Sequence, residues 1–242
     1  MSEHAYPART LRSRTSSFGP RTPAPDPSPL SALALAGACV LALALIWVVA
    51  ELVPAAHYRD AELLYKFTTL EQPKIDSIAN FLLHLLDPSL FILWGISLVA
   101  VGFARERPRV ALAIAAIMGL APLTAEKLKP LLAHSHDQVG YYGVGDASWP
   151  SGHSTAAAIL VISAVLVTPA ALRLLVATIG ALFVLAVGIS LLILHWHMPS
   201  DVLGGYFVAA LWGSLAVAAL RTGERLRPSR PRKPTPTPTA SA

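Results

Sequence analysis

Long apolar runs separated by short polar breaks set the plan of the chain. Residues 30–53, 88–104, 110–125, 151–167, 174–194 and 202–220 are predominantly apolar. A helix needs about 20 such residues to cross the hydrocarbon core of a bilayer, so the pattern predicts a bundle of six transmembrane helices. Residues 54–86 read differently. Asp60, Glu62, Lys66, Glu71, Lys74 and Asp76 exclude a span there. Ile75, Ile78, Ala79, Phe81, Leu82 and Leu85 recur at helical spacing, which predicts an amphipathic helix at the interface or leading into the next span. Asp87-Pro88 marks the boundary.

Composition agrees. The 242 residues are 54% hydrophobic and 14% charged, against about 25% charged in soluble domains. The fold class is an all-α polytopic membrane protein. Its spans occupy a domain at 30–220, between polar tails at 1–29 and 221–242 that are expected to be disordered. The single cysteine, Cys39, excludes a disulfide framework and a cysteine-based zinc site. Ala36-Gly37-Ala38-Cys39 superficially resembles a lipidation site, but apolar sequence runs on to Val53, so these are small residues inside a span.

The net charge of +5 is read here as topology, with no nucleic-acid partner expected. The tails and the turns at 105–109 and 173 hold 14 of the 19 Lys and Arg residues. Positive charge marks the cytoplasmic side. Both termini are therefore expected in the cytoplasm, and the two polar breaks at 127–153 and 195–201 are expected to face outside. Trp149 and Trp196 are expected as interfacial anchors.

Those two breaks carry the candidate chemistry. Ser151, Gly152 and His153 stand where an apolar helix begins. A helix start presents unpaired N–H groups and a positive dipole end, which suits an anion. Ser-Gly-His is by itself also what an ordinary helix cap looks like. In the second break His197 and Asp201 are four residues apart at the start of the last span, where one helical turn sets them side by side. An aspartate on the imidazole fixes the tautomer, frees the other ring nitrogen to attack and stabilises the charged ring. On one membrane face, the two breaks make a scheme for attack at phosphorus. His197 is the nucleophile, oriented by Asp201. Ser151 and the Gly152 N–H bind phosphate oxygens, and Lys127 neutralises developing charge. His153 protonates the leaving alkoxide and then deprotonates water. The scheme calls for no metal and no cofactor.

Pro150-Ser151-Gly152-His153 followed by His197-Met198-Pro199-Ser200-Asp201-Val202-Leu203-Gly204-Gly205 resembles the type-2 phosphatidic acid phosphatase family, six-span lipid phosphatases related to soluble vanadium haloperoxidases. The resemblance covers roughly residues 60–215. It implies a metal-independent phosphatase acting on a lipid-linked phosphate monoester or diphosphate, in the plasma membrane with the site outside. Two departures stand out. Lys127 aligns with the family's first-motif lysine, but His134-Ser135 occupy the Arg-Pro that should follow. In the third motif Ser190 matches, but Leu191 occupies the arginine position. Arginine grips phosphate through a permanently charged fork that His and Leu do not reproduce. His134, when protonated, is the expected substitute, with His136 and Lys129 nearby. The alternative is a catalytically weak or inactive lipid-phosphate-binding protein of the same fold. A transporter is disfavoured by the lack of a detectable inverted repeat or of charges within the spans. A metal site at His195, His197 and Asp201 ranks below phosphate chemistry, because His195 falls where the family has no catalytic residue.

Overall fold

The computed structural model describes residues 28–133, 144–145 and 147–226. Among these residues the regular structure is helical throughout: α1 (Pro29–Leu52), α2 (Pro54–Thr68), α3 (Pro73–His84), α4 (Pro88–Ala104), α5 (Pro108–Leu132), α6 (Gly152–Val167), α7 (Ala170–Ile193) and α8 (Pro199–Leu226). Six of these eight helices start on a proline. Its fixed φ suits the first turn, and its missing N–H would have no helical partner there.

Where six spans and one amphipathic helix were expected, eight helices stand among the described residues, and α3 falls where the amphipathic helix was expected. Four of them, α1, α5, α7 and α8, are long and apolar enough to cross a membrane, and α3 with α4 makes a fifth candidate if the pair is one span bent by 52°. α6 is apolar but has 16 residues, about 24 Å at 1.5 Å per residue. Apolar runs and helices also end at different places. α5 continues through Glu126, Lys127 and Pro130 to Leu132, well past the end of its apolar run. The Trp47 indole of α1 donates to the Leu132 carbonyl at 3.1 Å, supplying a partner at the helix end. α8 likewise runs six residues into what the sequence suggested was tail. Helix α2 lies in a segment whose composition had only excluded a span.

The basic turn does more than mark topology. Arg107 donates to the Leu166 carbonyl near the end of α6 at 3.1 Å, and Arg109 donates to the Gly223 carbonyl in the last turns of α8 at 3.1 Å. Both place a cation at the negative end of a helix.

The short helix α6 is enclosed by α4, α5, α7 and α8. Ile114, Ile117 and Ala121 of α5 pack with Ile159 of α6 and Val208 and Ala209 of α8 in one buried cluster. A second cluster brings Leu64 of α2 and Leu83 of α3 onto Ala157 of α6 and Val187 and Leu191 of α7. Large apolar side chains such as Leu41, Ile92, Leu174 and Leu182 face outward, as expected of a perimeter solvated by lipid.

Helices α6 and α8 approach closely at Gly205. A Cβ on Gly205 would lie 2.5 Å from the Ser151 carbonyl oxygen and would collide with the Ser154 hydroxyl. Thr155 Oγ1 donates to the Ser151 carbonyl (2.8 Å) and approaches the Gly205 carbonyl at 3.2 Å. Without a hydrophobic drive between helices in lipid, small residues that admit such approach hold a bundle together. Gly205→Ala is therefore expected to force α6 and α8 apart and lower the melting temperature in detergent, at a cost of about 1–3 kcal/mol. Gly37→Ala, where nothing lies within 4 Å of the added carbon, should leave the melting temperature unchanged or higher.

Candidate active site

Two helix starts meet at the α6–α8 contact. Ser151 caps α6, its hydroxyl accepting the Ser154 N–H at 3.3 Å. Its own N–H donates to the Asp201 main-chain carbonyl at 3.0 Å. The break before α6 is thereby hydrogen-bonded to the first turn of α8. The Trp149–Pro150 peptide is cis, and the Trp149 ring is buried 2.8 Å from where a Cβ on Gly204 would stand. That corrects the expected interfacial role of Trp149: it is packed into the α6–α8 joint. Trp196 is 47% exposed, its ring edge-on to His153 with centroids 5.6 Å apart.

The chain reaches α8 through a tight reversal after α7. His195 has φ 58°, the left-handed conformation usually taken by glycine after a helix. Its N–H returns to the Leu192 carbonyl (3.2 Å) and the Trp196 N–H to the Leu191 carbonyl (3.0 Å), which is the Schellman pattern. His197 then falls just before Pro199 at the start of α8. Its Nδ1 lies 3.1 Å from Asp201 Oδ2, and the same oxygen accepts the Met198 N–H at 2.9 Å. Asp201 is fully buried, and its other carboxylate oxygen has no hydrogen-bond partner among the described residues. A buried carboxyl group held this way fixes the imidazole through Nδ1 and leaves Nε2 outside the pair.

The predicted residues do not all converge. Ser151, Gly152, His153, His197 and Asp201 come together at the two helix starts. His134, with His136, lies outside the described residues. Lys127 is exposed on α5. The lysine that reaches the start of α6 is Lys129, one helical turn beyond the fully buried Ala125 on the inward side of α5. A Cβ on Gly152 would lie 3.7 Å from Lys129 Nζ and 2.7 Å from Glu126 Oε1. Lys129 and Glu126 pair at 2.7 Å, with the lysine side chain only 22% exposed. The spacing of the lysine motif had favoured Lys127; the helical phase favours Lys129, because 125 and 129 share a face and 127 points elsewhere.

Leu191 is completely buried among Leu64, Leu83 and Val187. The position where the resembling family carries an arginine is therefore part of an apolar core here. Ser190, beside it, donates to the Ala186 carbonyl at 2.8 Å.

Residues 89–225 match the PAP2 superfamily. The chain belongs to that superfamily. Its fold is similar to the crystal structure of a transmembrane PAP2-type phosphatidylglycerolphosphate phosphatase from Bacillus subtilis, with a TM-score of 0.64, 22% identity, and coverage of 81% of this chain and 98% of that one. No match was found among curated proteins. In this PAP2 chain the match begins at residue 89 and so omits α2 and α3, although both contribute to the core under the site.

Sequence reasoning missed Glu126 and Asp60 in this PAP2 site and gave Lys129 only a place nearby. Lys129 and Glu126 were signalled by helical phase. Asp60 of α2, which accepts hydrogen bonds from Ser200, had no local signal, since its partner is 140 residues away. His195 Nε2 lies 3.6 Å from Glu71, and no cluster of three or more potential metal ligands forms among the described residues. His195→Gly is expected to fold with stability within about 1 kcal/mol of wild type, because relief of the left-handed conformation offsets the lost Glu71 contact. Thermal denaturation in detergent checks this.

Proposed function

We propose that this protein is a membrane phosphatase that hydrolyses a lipid-linked phosphate monoester or diphosphate through a phosphohistidine intermediate. The observation that carries the reading is the buried His197–Asp201 pair, tied to the capped start of α6 by the Ser151 N–H to Asp201 bond. His197 Nε2 attacks phosphorus, forming a P–N bond as the P–O bond to the lipid breaks. His153 donates its proton to the departing oxygen. Water then loses a proton to His153, attacks phosphorus and breaks the P–N bond, releasing inorganic phosphate. Asp201 stabilises the imidazolium that forms in the first step.

Binding falls to Ser151, the free N–H groups at the start of α6 and one lysine. Lys129 takes the role that spacing assigned to Lys127. His134 remains a candidate partner for the phosphate. With the arginine position closed by Leu191, few charged donors are left. That favours slow turnover, and it is the observation behind the second reading, a lipid-phosphate binder without catalysis. The apolar runs and the charge bias support six spans in the plasma membrane, cytoplasmic termini and an extracytoplasmic site. The substrate classes include phosphatidate, isoprenyl diphosphate and, as for the similar Bacillus subtilis enzyme, phosphatidylglycerol phosphate.

Purified protein should release phosphate from at least one of these three lipids, with EDTA present. His197→Ala should reduce the rate by roughly a thousandfold or more. Equal release by wild type and His197→Ala would rule out the enzyme, and binding without release would establish the second reading. Lys129→Ala should lower kcat/KM by about 10- to 100-fold, the worth of a hydrogen bond to a charged group, while Lys127→Ala stays within about twofold of wild type. For topology, a cysteine at Ser77 in a Cys39→Ala background should react with an impermeant thiol reagent added outside intact cells. Reaction only after lysis would place the site inside.

A further inference from the structure

Asp60 lies outside the superfamily match and outside all three motifs. It stands on α2, yet its carboxylate accepts the Ser200 N–H at 3.2 and 3.3 Å and the Ser200 hydroxyl at 2.6 Å. Ser200 is in the first turn of α8, immediately before Asp201. An N–H in that turn has no acceptor within its own helix. The usual local solution is a capping side chain at the helix start. Here the nearest carboxylate, Asp201, turns back to His197 and Met198 instead. A carboxylate from a different helix fills the vacancy and meets the positive end of α8.

We propose that Asp60 is a positioning residue for the His197–Asp201 pair. By holding Ser200 it fixes the first turn of α8, so that Asp201 can be committed to the imidazole. The proposal rests on the phosphatase reading for its kinetic consequences, but its geometry does not. The groups acting on Asp60 are Ser200, which favours its ionised form, and the carboxylates of Asp201 and Glu51, which disfavour it. Burial is the largest influence, and the side chain titrates at about 6. The sign follows from this raised value. Folding favours the neutral acid, so its stabilising contribution is complete below about 3.8 and is lost as pH rises through about 6. The ionised carboxylate is the stronger acceptor for Ser200. Asp60 therefore positions the pair best above pH 6, where it stabilises the fold least.

Asp60→Asn keeps the size of the side chain and imitates the neutral acid. With phosphatidate in detergent micelles, wild type should exceed Asp60→Asn in kcat by about tenfold at pH 7.5, one charged hydrogen bond, with KM within twofold. The ratio should fall toward one at pH 5. Taking the ratio cancels the pH dependence common to both proteins. Glu62→Gln, on the exposed side of α2, should match wild type throughout. A ratio that is near one at every pH, or large and independent of pH, overturns the proposal. If wild type releases no phosphate from any lipid tested, the phosphatase reading fails, and the ring-nitrogen NMR resonances of His197 decide the role of Asp60 separately. They should move in Asp60→Asn and not in Glu62→Gln; identical spectra in all three proteins overturn the assignment.

Discussion

The rest of the structure depends on one main-chain hydrogen bond, from the Ser151 N–H to the Asp201 carbonyl at 3.0 Å. It joins two helix starts that are 50 residues apart in sequence. A helix start has unsatisfied donors and a positive dipole end. Two such starts side by side concentrate both properties in one place. The cost is that α6 and α8 must approach closely, which is why Gly204 and Gly205 lie against Trp149, Ser151 and Ser154. Small residues here serve packing and chemistry together.

Around this joint the polar groups are arranged in tiers. Asp201 serves His197 and Met198, Asp60 serves Ser200, and Ser151 serves Ser154. Each carboxylate or hydroxyl has a defined donor, so the pair is held by partners that are themselves held. Preorganisation of this kind lowers the reorganisation needed when charge develops. The anion side is less well supplied. Lys129 is shared with Glu126, and Leu191 belongs to the core. On the function proposed above, an incoming phosphate competes with Glu126 for the lysine. The His197–Asp201 half of the site is thus more fully held by partners than the half around Lys129.

Much of this was legible beforehand, for identifiable reasons. The helix starts at Pro88 and Pro199 and the cap at Ser151 are local signals. So is the i, i+4 relation of His197 and Asp201, since one helical turn alone brings them together. Pro54 carried the same start signal in a charged segment, where attention to spans concealed it, whereas the helix after Pro73 was legible in the spacing of its apolar residues. The end of α5 was misjudged because charge ends a span but does not end a helix, and the Trp47 indole waits at Leu132. Lys127 was chosen over Lys129 because motif spacing was weighed before helical phase.

What the sequence determined by itself was therefore the apolar plan, the all-helical class and the local pairing of His197 with Asp201, all of which are set within one or two turns of chain. The tertiary structure decided what depends on distant partners. It brought Asp60 to Ser200 across 140 residues. It turned Lys129 and not Lys127 toward Gly152, and it closed Leu191 into a core formed by α2, α3, α6 and α7. Hydrophobic periodicity states which face of a helix is buried. It does not state which other helix covers that face, and the character of this site was settled by that choice.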